Sequence, residues 1–251
     1  MRTIGLLGGM SWESTATYYR VINQLTRTHR GRLHSAPLVV WSADFETIRA
    51  LQLTAQWDKA AAILASAAGA LERAGAELLV LCTNTMHRVA AEIEAAVSIP
   101  LLHVADITAE RVRRAGLQSV AFLGTRYAME EDFYVGRLTR RHGLTVYTPT
   151  AEQRVMIDQV IFDELCRGVV SDESRQKFLR LIEDLRCRGA QAVIAGCTEI
   201  GLLVEQRHLR LPYFDTTRIH AEEAVRWALE ASPAASAQRR RRVAGDSSAR
   251  R

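Results

Sequence analysis

Lysine is nearly absent from this chain of 251 residues: Lys59 and Lys177 are the only two. They fall in "QWDKAAAIL" and "RQKFLRLI", where each reads as the solvated face of an amphipathic helix. Neither offers the buried amine that a pyridoxal-phosphate Schiff base requires. The four cysteines, Cys82, Cys166, Cys187 and Cys197, form no CxxC pair. That spacing argues against a disulfide scaffold or a compact zinc motif and leaves free thiols in a reducing compartment as the expectation. Long apolar runs are missing as well. Nothing approaches the ~18 to 20 apolar residues of a membrane span, and the N-terminus enters a strand-like segment with no signal-peptide pattern, so a cytoplasmic protein is expected. Gly5, Gly8 and Gly9 of "IGLLGG" do not spell GxGxxG and no GK[ST] follows, which removes the usual nucleotide loops and leaves a tight turn for close backbone approach to a small ligand.

Even the charge is local. Arg239, Arg240, Arg241, Arg242, Arg250 and Arg251, set against Asp246, account for the whole formal charge of +5 and leave the first 237 residues formally neutral. Residues 231 to 251 lack apolar periodicity and are expected to form a disordered basic tail. Neither a nucleic acid nor a membrane is the expected partner; a small molecule is.

What the chain does contain is alternation. Apolar runs of strand length ("TIGLLG", "PLVVWSA", "AELLVLC", "PLLHVAD", "SVAFLGT", "LTVYTP", "QAVIAGC") are separated by helical patterns over residues 12–28, 57–74, 86–97, 108–115, 152–167, 172–188 and 216–230. This order predicts an α/β protein with mostly parallel sheets, whose ligands bind at the carboxyl ends of the strands. There is also an internal echo. "TIGLLGGM" resembles "SVAFLGTR", and "RAGAELLVLCTN" resembles "CRGAQAVIAGCTE" with one residue of offset. Two pseudosymmetric α/β domains are expected, residues 1–97 plus 211–230 and residues 98–210, with the active site in the cleft between them.

Each half thereby offers one cysteine, Cys82 or Cys197, at a strand-to-helix junction. The first backbone N–H groups of a helix have no intrahelical partner, so a thiol there is expected to lean toward thiolate and a ligand carboxylate to find donors. Thr83, Asn84 and Thr85, with Thr198 and Glu199 in the second motif, add short polar side chains. Two such thiols on opposite faces of a carbon next to a carboxylate could remove a proton on one side and deliver one on the other. Cys166 and Cys187, inside helical patterns, are expected to be structural. A metal site from Cys82, His87, Cys197 and His103 has no compact spacing, and Asp215 reads as the N-cap of the last helix. A non-catalytic binding module is the alternative from another class.

"IGLLGGMSWEST", "LCTNTMH", "GCTEIG" and "LPYFDTTRIHAEEAV" together resemble the aspartate/glutamate racemase family of cofactor-independent amino-acid racemases, closest to its aspartate and broad-specificity branch. The likeness runs from residue 1 to about 230. It implies a PLP-independent racemase with no cofactor or metal, a homodimer, Cys82 and Cys197 as opposed acid and base, and substrate contacts from Met10, Gln52, Thr83, Asn84, Thr85 and Thr198. It also leaves open maleate isomerisation or hydantoin racemisation on the same scaffold. Glutamate racemases carry a histidine where this chain has Glu199, and aspartate-specific members a lysine within the stretch that reads "IFDELCRG" here. Arg49 or Arg167 could stand in for that lysine, or the pocket need not demand a second carboxylate.

Overall fold

The computed structural model describes residues 1 to 230; the arginine-rich tail expected over 231–251 lies outside the described residues. The first half runs β1 (Ile4–Gly8), α1 (Trp12–Arg30), β2 (Leu38–Ser42), α2 (Phe45–Leu53), α3 (Trp57–Arg73), β3 (Leu78–Leu81) and α4 (Ala90–Ala95). The second runs α5 (Val104–Arg114), β4 (Ser119–Gly124), α6 (Arg126–Glu130), β5 (Thr145–Tyr147), α7 (Ala151–Gln159), α8 (Asp172–Cys187), β6 (Val193–Gly196), α9 (Ile200–Leu203), β7 (Tyr213–Asp215) and α10 (Thr216–Leu229).

All pairings are parallel, in two sheets of order β2-β1-β3 and β5-β4-β6-β7. The fold is the α/β architecture expected from the alternation. The first three strands of each half take the same order, with the Gly-ended strand, β1 or β4, between its neighbours.

Period-two alternation sorts the side chains of the first sheet onto its two faces. Ile4, Leu6, Leu78 and Val80 pack under α1 and α10 beside Tyr18, Ile22, Ala221 and Ala224. Leu7, Leu79 and Leu81 pack on the other face against the small residues of α3, Ala60, Ala67 and Ala68. Gly5 keeps that second layer close, since a Cβ there would stand 2.9 Å from the Ala76 Cβ.

Helix starts coincide with side-chain caps. Ser11 accepts from the Ser14 N–H, Asp44 from Thr47, Thr125 from Ala128 and Ser171 from Ser174, while Thr150 and Gln153 form a capping box on α7. Asp215 caps α10 as expected, its Oδ1 accepting from the N–H groups of Thr217 and Arg218 at 2.9 and 3.2 Å.

Several expectations need correction. "PLLHVAD" is not a strand: Leu101 makes only an isolated bridge to Leu79, and α5 starts at Val104 because the His103 ring accepts from the Ala105 N–H. The pattern over 86–97 divides into a 3₁₀ turn, Thr85–Val89, followed by α4. That over 152–167 is α7 followed by a π-helical turn, Val160–Glu164, and a 3₁₀ turn, Leu165–Arg167. The domain division also shifts, because β7 pairs with β6, so residues 213 to 215 join the second sheet and only α10 crosses to pack on α1.

Candidate active site

Both Gly-ended strands and the loops after β3 and β6 converge on one cleft. It is lined from the first half by Met10, Ser11, Ser14, Phe45, Gln52, Thr83, Asn84 and Thr85. Thr125, Ile161, Phe162, Cys166, Gly196, Cys197, Thr198 and Glu199 line it from the second. Every residue expected to contact substrate therefore lines the cleft. The turn before α1 is tight: Gly9 has φ of 87°, and a Cβ on it would lie 2.2 Å from the Ala43 backbone nitrogen.

Cys82 is not at the cleft. It is fully buried, its Sγ donates to the Val80 carbonyl at 3.6 Å, and it lies in the apolar layer of Tyr18 and Ile22 beneath α1 and α10. The alternation of β3 explains this, since Leu78, Val80 and Cys82 share a face. The register names the residue that does correspond to Cys197. Leu7 of "LLGG" pairs with Leu81, and Leu123 of "FLGT" pairs with Ala195. Counting two residues on from each partner equates Thr83 with Cys197, Asn84 with Thr198, and Cys82 with Gly196. A Cβ at Gly196 would come within 2.5 Å of the Phe122 ring, so the second lobe has no room for a side chain where the first holds its buried thiol.

The loop after β3 is held from several sides. The Val104 N–H donates to His87 Nε2 at 3.2 Å, so Nδ1 carries the hydrogen and donates to the Thr83 carbonyl at 2.8 Å. Asn84 donates through Nδ2 to Thr216 Oγ1 at 3.1 Å and accepts from the Tyr134 hydroxyl at 3.0 Å. Thr85 Oγ1 meets Thr125 Oγ1 at 2.9 Å. Asn84 and Thr85 thus tie one lobe to the other, while the Thr83 hydroxyl makes no side-chain hydrogen bond among the described residues. The backbone N–H groups of Asn84 and Thr198, equivalent by register, also have no acceptor among the described residues. Gln52 Nε2 contacts Met86 Sδ at 3.1 Å, and its carbonyl accepts from the Tyr127 hydroxyl at 3.2 Å.

On the opposite wall Cys197 is buried, and its Sγ donates to Glu199 Oε2 at 2.9 Å. Glu199 Oε1 accepts from Ser11 Oγ and Ser14 Oγ, each at 2.9 Å. Thr198 Oγ1 lies 3.2 Å from Thr217 Oγ1. The expected drift toward thiolate is reversed: burial first, and then the Glu199 carboxylate, hold the Cys197 thiol well above its ordinary range. α9 spans only four residues, too little helix to offset that desolvation. Burial also raises Cys82.

Cys166, expected to be structural, lines the cleft, and burial pushes its thiol up to about 12. Arg167 is exposed and pairs with Asp163 on the surface, so it does not reach the site. The Arg49 guanidinium stacks 3.7 Å from the centroid of Phe162, a cleft residue. Lys59 is exposed on α3, and Lys177 pairs with Glu173 on α8. No group of three or more His, Cys, Asp or Glu side chains among the described residues is arranged to hold a metal, and no helix there is long and apolar enough to cross a membrane.

Beneath the first loop His87, His103 and His220 form a buried group, with the His87 and His103 rings 4.6 Å apart and those of His87 and His220 6.0 Å apart. Burial lowers them from 6.5 to about 4, about 2 and about 3 respectively. As pH falls below the unfolded value, the unfolded chain takes up protons that the native state refuses. Stability is therefore complete above about 6.5 and declines below it, by about 1.4 kcal/mol per pH unit for each histidine. The urea midpoint is expected to fall steeply between about pH 6.5 and 5; an unchanged midpoint over that window contradicts the neutral cluster.

Comparison with known proteins agrees with the architecture. The curated broad-specificity amino-acid racemase RacX of Bacillus subtilis is 22% identical over 158 residues, which is 62% of this chain and 66% of that protein. A crystal structure of a Yersinia pestis protein assigned to the Asp/Glu racemases matches with TM-score 0.87 and 49% identity, covering 92% of this chain and all of that one. An aspartate racemase homologue from Pyrococcus horikoshii OT3 matches with TM-score 0.81 and 34% identity, covering 92% of this chain and 100% of that chain. The family model for Asp/Glu/hydantoin racemases matches residues 7–224, a span that contains β4, β6 and every residue of the cleft, and the chain belongs to that family of isomerases.

Proposed function

We propose that this protein is a cofactor-independent amino-acid racemase working with one thiol and one hydroxyl, Cys197 on one side of the substrate and Thr83 on the other. The observation that carries the reading is the register equivalence of these two residues at the mouth of a single cleft. It replaces the two-thiol scheme, whose other sulfur is enclosed in the core.

The substrate carboxylate fits between the unpaired N–H groups of Asn84 and Thr198, where two backbone donors favour an anion and stabilise the charge that develops on it. That arrangement leaves the α-carbon between Cys197 and Thr83. The Cys197 thiolate removes the α-proton of the enantiomer that presents it. Protonation from the same side returns the starting hand; on the other face the Thr83 hydroxyl gives its proton to carbon and inverts it, after which the alkoxide takes a proton from solvent and the Cys197 thiol releases one. The side chain extends toward Phe45, Ile161, Phe162 and Cys166, a wall without lysine or arginine, which supports a broad range of side chains more than strict aspartate.

Purified protein without pyridoxal phosphate, given single enantiomers of aspartate, glutamate and homoserine in deuterium oxide, is expected to place α-deuterium in substrate and in its mirror image. Absence of α-exchange from the whole panel rejects the reading.

A further inference from the structure

Glu199 is the one carboxylate among the cleft-lining residues, and it is buried there without an ion-pair partner among the described residues. Its three hydrogen bonds divide between the lobes: Cys197 Sγ on its own loop, and Ser11 Oγ and Ser14 Oγ at the start of α1 across the cleft, all at 2.9 Å. A thiol pointing at a carboxylate is a proton donor facing its acceptor, and the pair holds one proton and one negative charge wherever that proton sits. The serines fix the carboxylate from the far lobe, so both halves take part in holding it beside the sulfur.

We propose that Glu199 is a positioning residue that takes the Cys197 proton at Oε2 when an amino acid fills the cleft and returns it after turnover, with Ser11 and Ser14 holding it in place from the opposite lobe. The inference rests on Cys197 being the residue that exchanges the α-proton. In the first step the S–H bond breaks and an O–H bond forms on Glu199. The Cys197 thiolate then takes the α-proton, and the electrons of the C–H bond remain on the substrate, spread toward the carboxylate held by the backbone donors. When Cys197 gives a proton back to carbon, the thiolate is regenerated and Glu199 returns its own proton, restoring the starting state; after inversion Cys197 keeps the α-proton, Glu199 releases its proton to solvent, and the Thr83 alkoxide takes one from solvent. The pair's single negative charge also faces the cleft at rest, which favours a substrate bearing an ammonium group. The titratable groups that face the pair are Cys166, from the 3₁₀ turn Leu165–Arg167, and Tyr213 of β7; Cys166 in turn faces Glu13 of α1, Arg49 of α2 and Asp158 of α7, and Tyr213 faces Asp215 and Glu205.

Two measurements on Glu199→Gln test this. Alkylation of Cys197 by iodoacetamide in the ligand-free protein, followed at that residue by mass spectrometry, is expected to move to lower pH by about one unit or more, because the amide no longer opposes the thiolate. Superimposable profiles for wild type and variant overturn the proposal. The α-deuterium exchange rate of the variant is expected to lie about 10²-fold below wild type at neutral pH and to climb about tenfold per pH unit as hydroxide replaces the missing acceptor, while wild type stays flat. Glu199→Asp recovers part of the loss. A uniform loss at every pH indicates a packing role only and rejects the relay. If neither protein exchanges any amino acid, the racemase reading fails by itself, and the alkylation profile still decides whether Glu199 governs the thiol. Should Glu199→Gln not fold by circular dichroism, the Ser11→Ala, Ser14→Ala double variant, which takes two donors from Oε1 without touching sulfur, must shift the alkylation profile; no shift overturns the proposal.

Discussion

Cys197→Ala is expected to lower α-deuterium exchange by about 10³- to 10⁴-fold, whereas Cys82→Ala leaves it within about threefold of wild type. The two thiols look alike in the chain, each following an apolar strand and preceding a threonine, but their surroundings differ. Removing Cys197 takes away the sulfur that faces the cleft and leaves Glu199 without its donor. Removing Cys82 takes one sulfur from an apolar layer under α1 and α10. The cost there is a small cavity, about 1 to 2 kcal/mol of stability, read as a lower urea midpoint with turnover retained. Single-enantiomer exchange assays on both variants separate the schemes: a Cys82→Ala protein that is folded and inactive restores the two-thiol mechanism and removes Thr83 from its role.

How much of this was legible in the sequence depended on whether the signal was local or needed pairing. The strand-helix alternation and the echo between halves were local, and they located the cleft with Thr83, Asn84, Thr85 and Thr198, whereas Met10 and Gln52 came only from the family resemblance. Choosing between Cys82 and Thr83 required the register, because a one-residue slip moves a side chain to the other face of a strand. The signal was present as the offset between "VLCTN" and "AGCTE", but spacing alone did not tell which half was shifted. Cys166 was hidden by a change of helical period: the π-helical turn Val160–Glu164 rotates the residues after it, so 3.6-residue spacing no longer gives the face. Ser11 caps α1 by accepting from the Ser14 N–H; the partner the two serines share, Glu199, lies 185 or more residues away, beyond any local pattern. α2 is hard to separate from β2 because only Ala43 and Asp44 lie between them, and β7 carries no periodicity because its three residues follow Pro212 and end on Asp215, the cap of α10.

Thr83→Cys is expected to raise the rate of inversion by about 10²-fold or more, the largest gain any single substitution at this site should give. Since two enantiomers are equal in free energy, kcat/KM for inversion must be the same from either hand, so an asymmetric pair of residues cannot make net racemisation one-way. The asymmetry appears in exchange without inversion. The enantiomer whose α-hydrogen faces Cys197 can lose it to sulfur, wait while the thiol exchanges with solvent, and recover deuterium on the same face. Its mirror image presents the α-hydrogen to a hydroxyl, which is a far weaker acid than a thiol and whose alkoxide is correspondingly scarce; it acquires deuterium only by passing through inversion. Wild type is therefore expected to wash deuterium into one hand of an amino acid about tenfold or more faster than it inverts that hand, and to show no such excess for the other. A thiol at position 83 supplies acid and base on both faces, so inversion rises, exchange becomes nearly equal for the two hands, and Thr83→Ala slows inversion further while retaining one-handed exchange at Cys197. Equal exchange of both hands in wild type defeats this account, because it requires an effective base on the Thr83 side already.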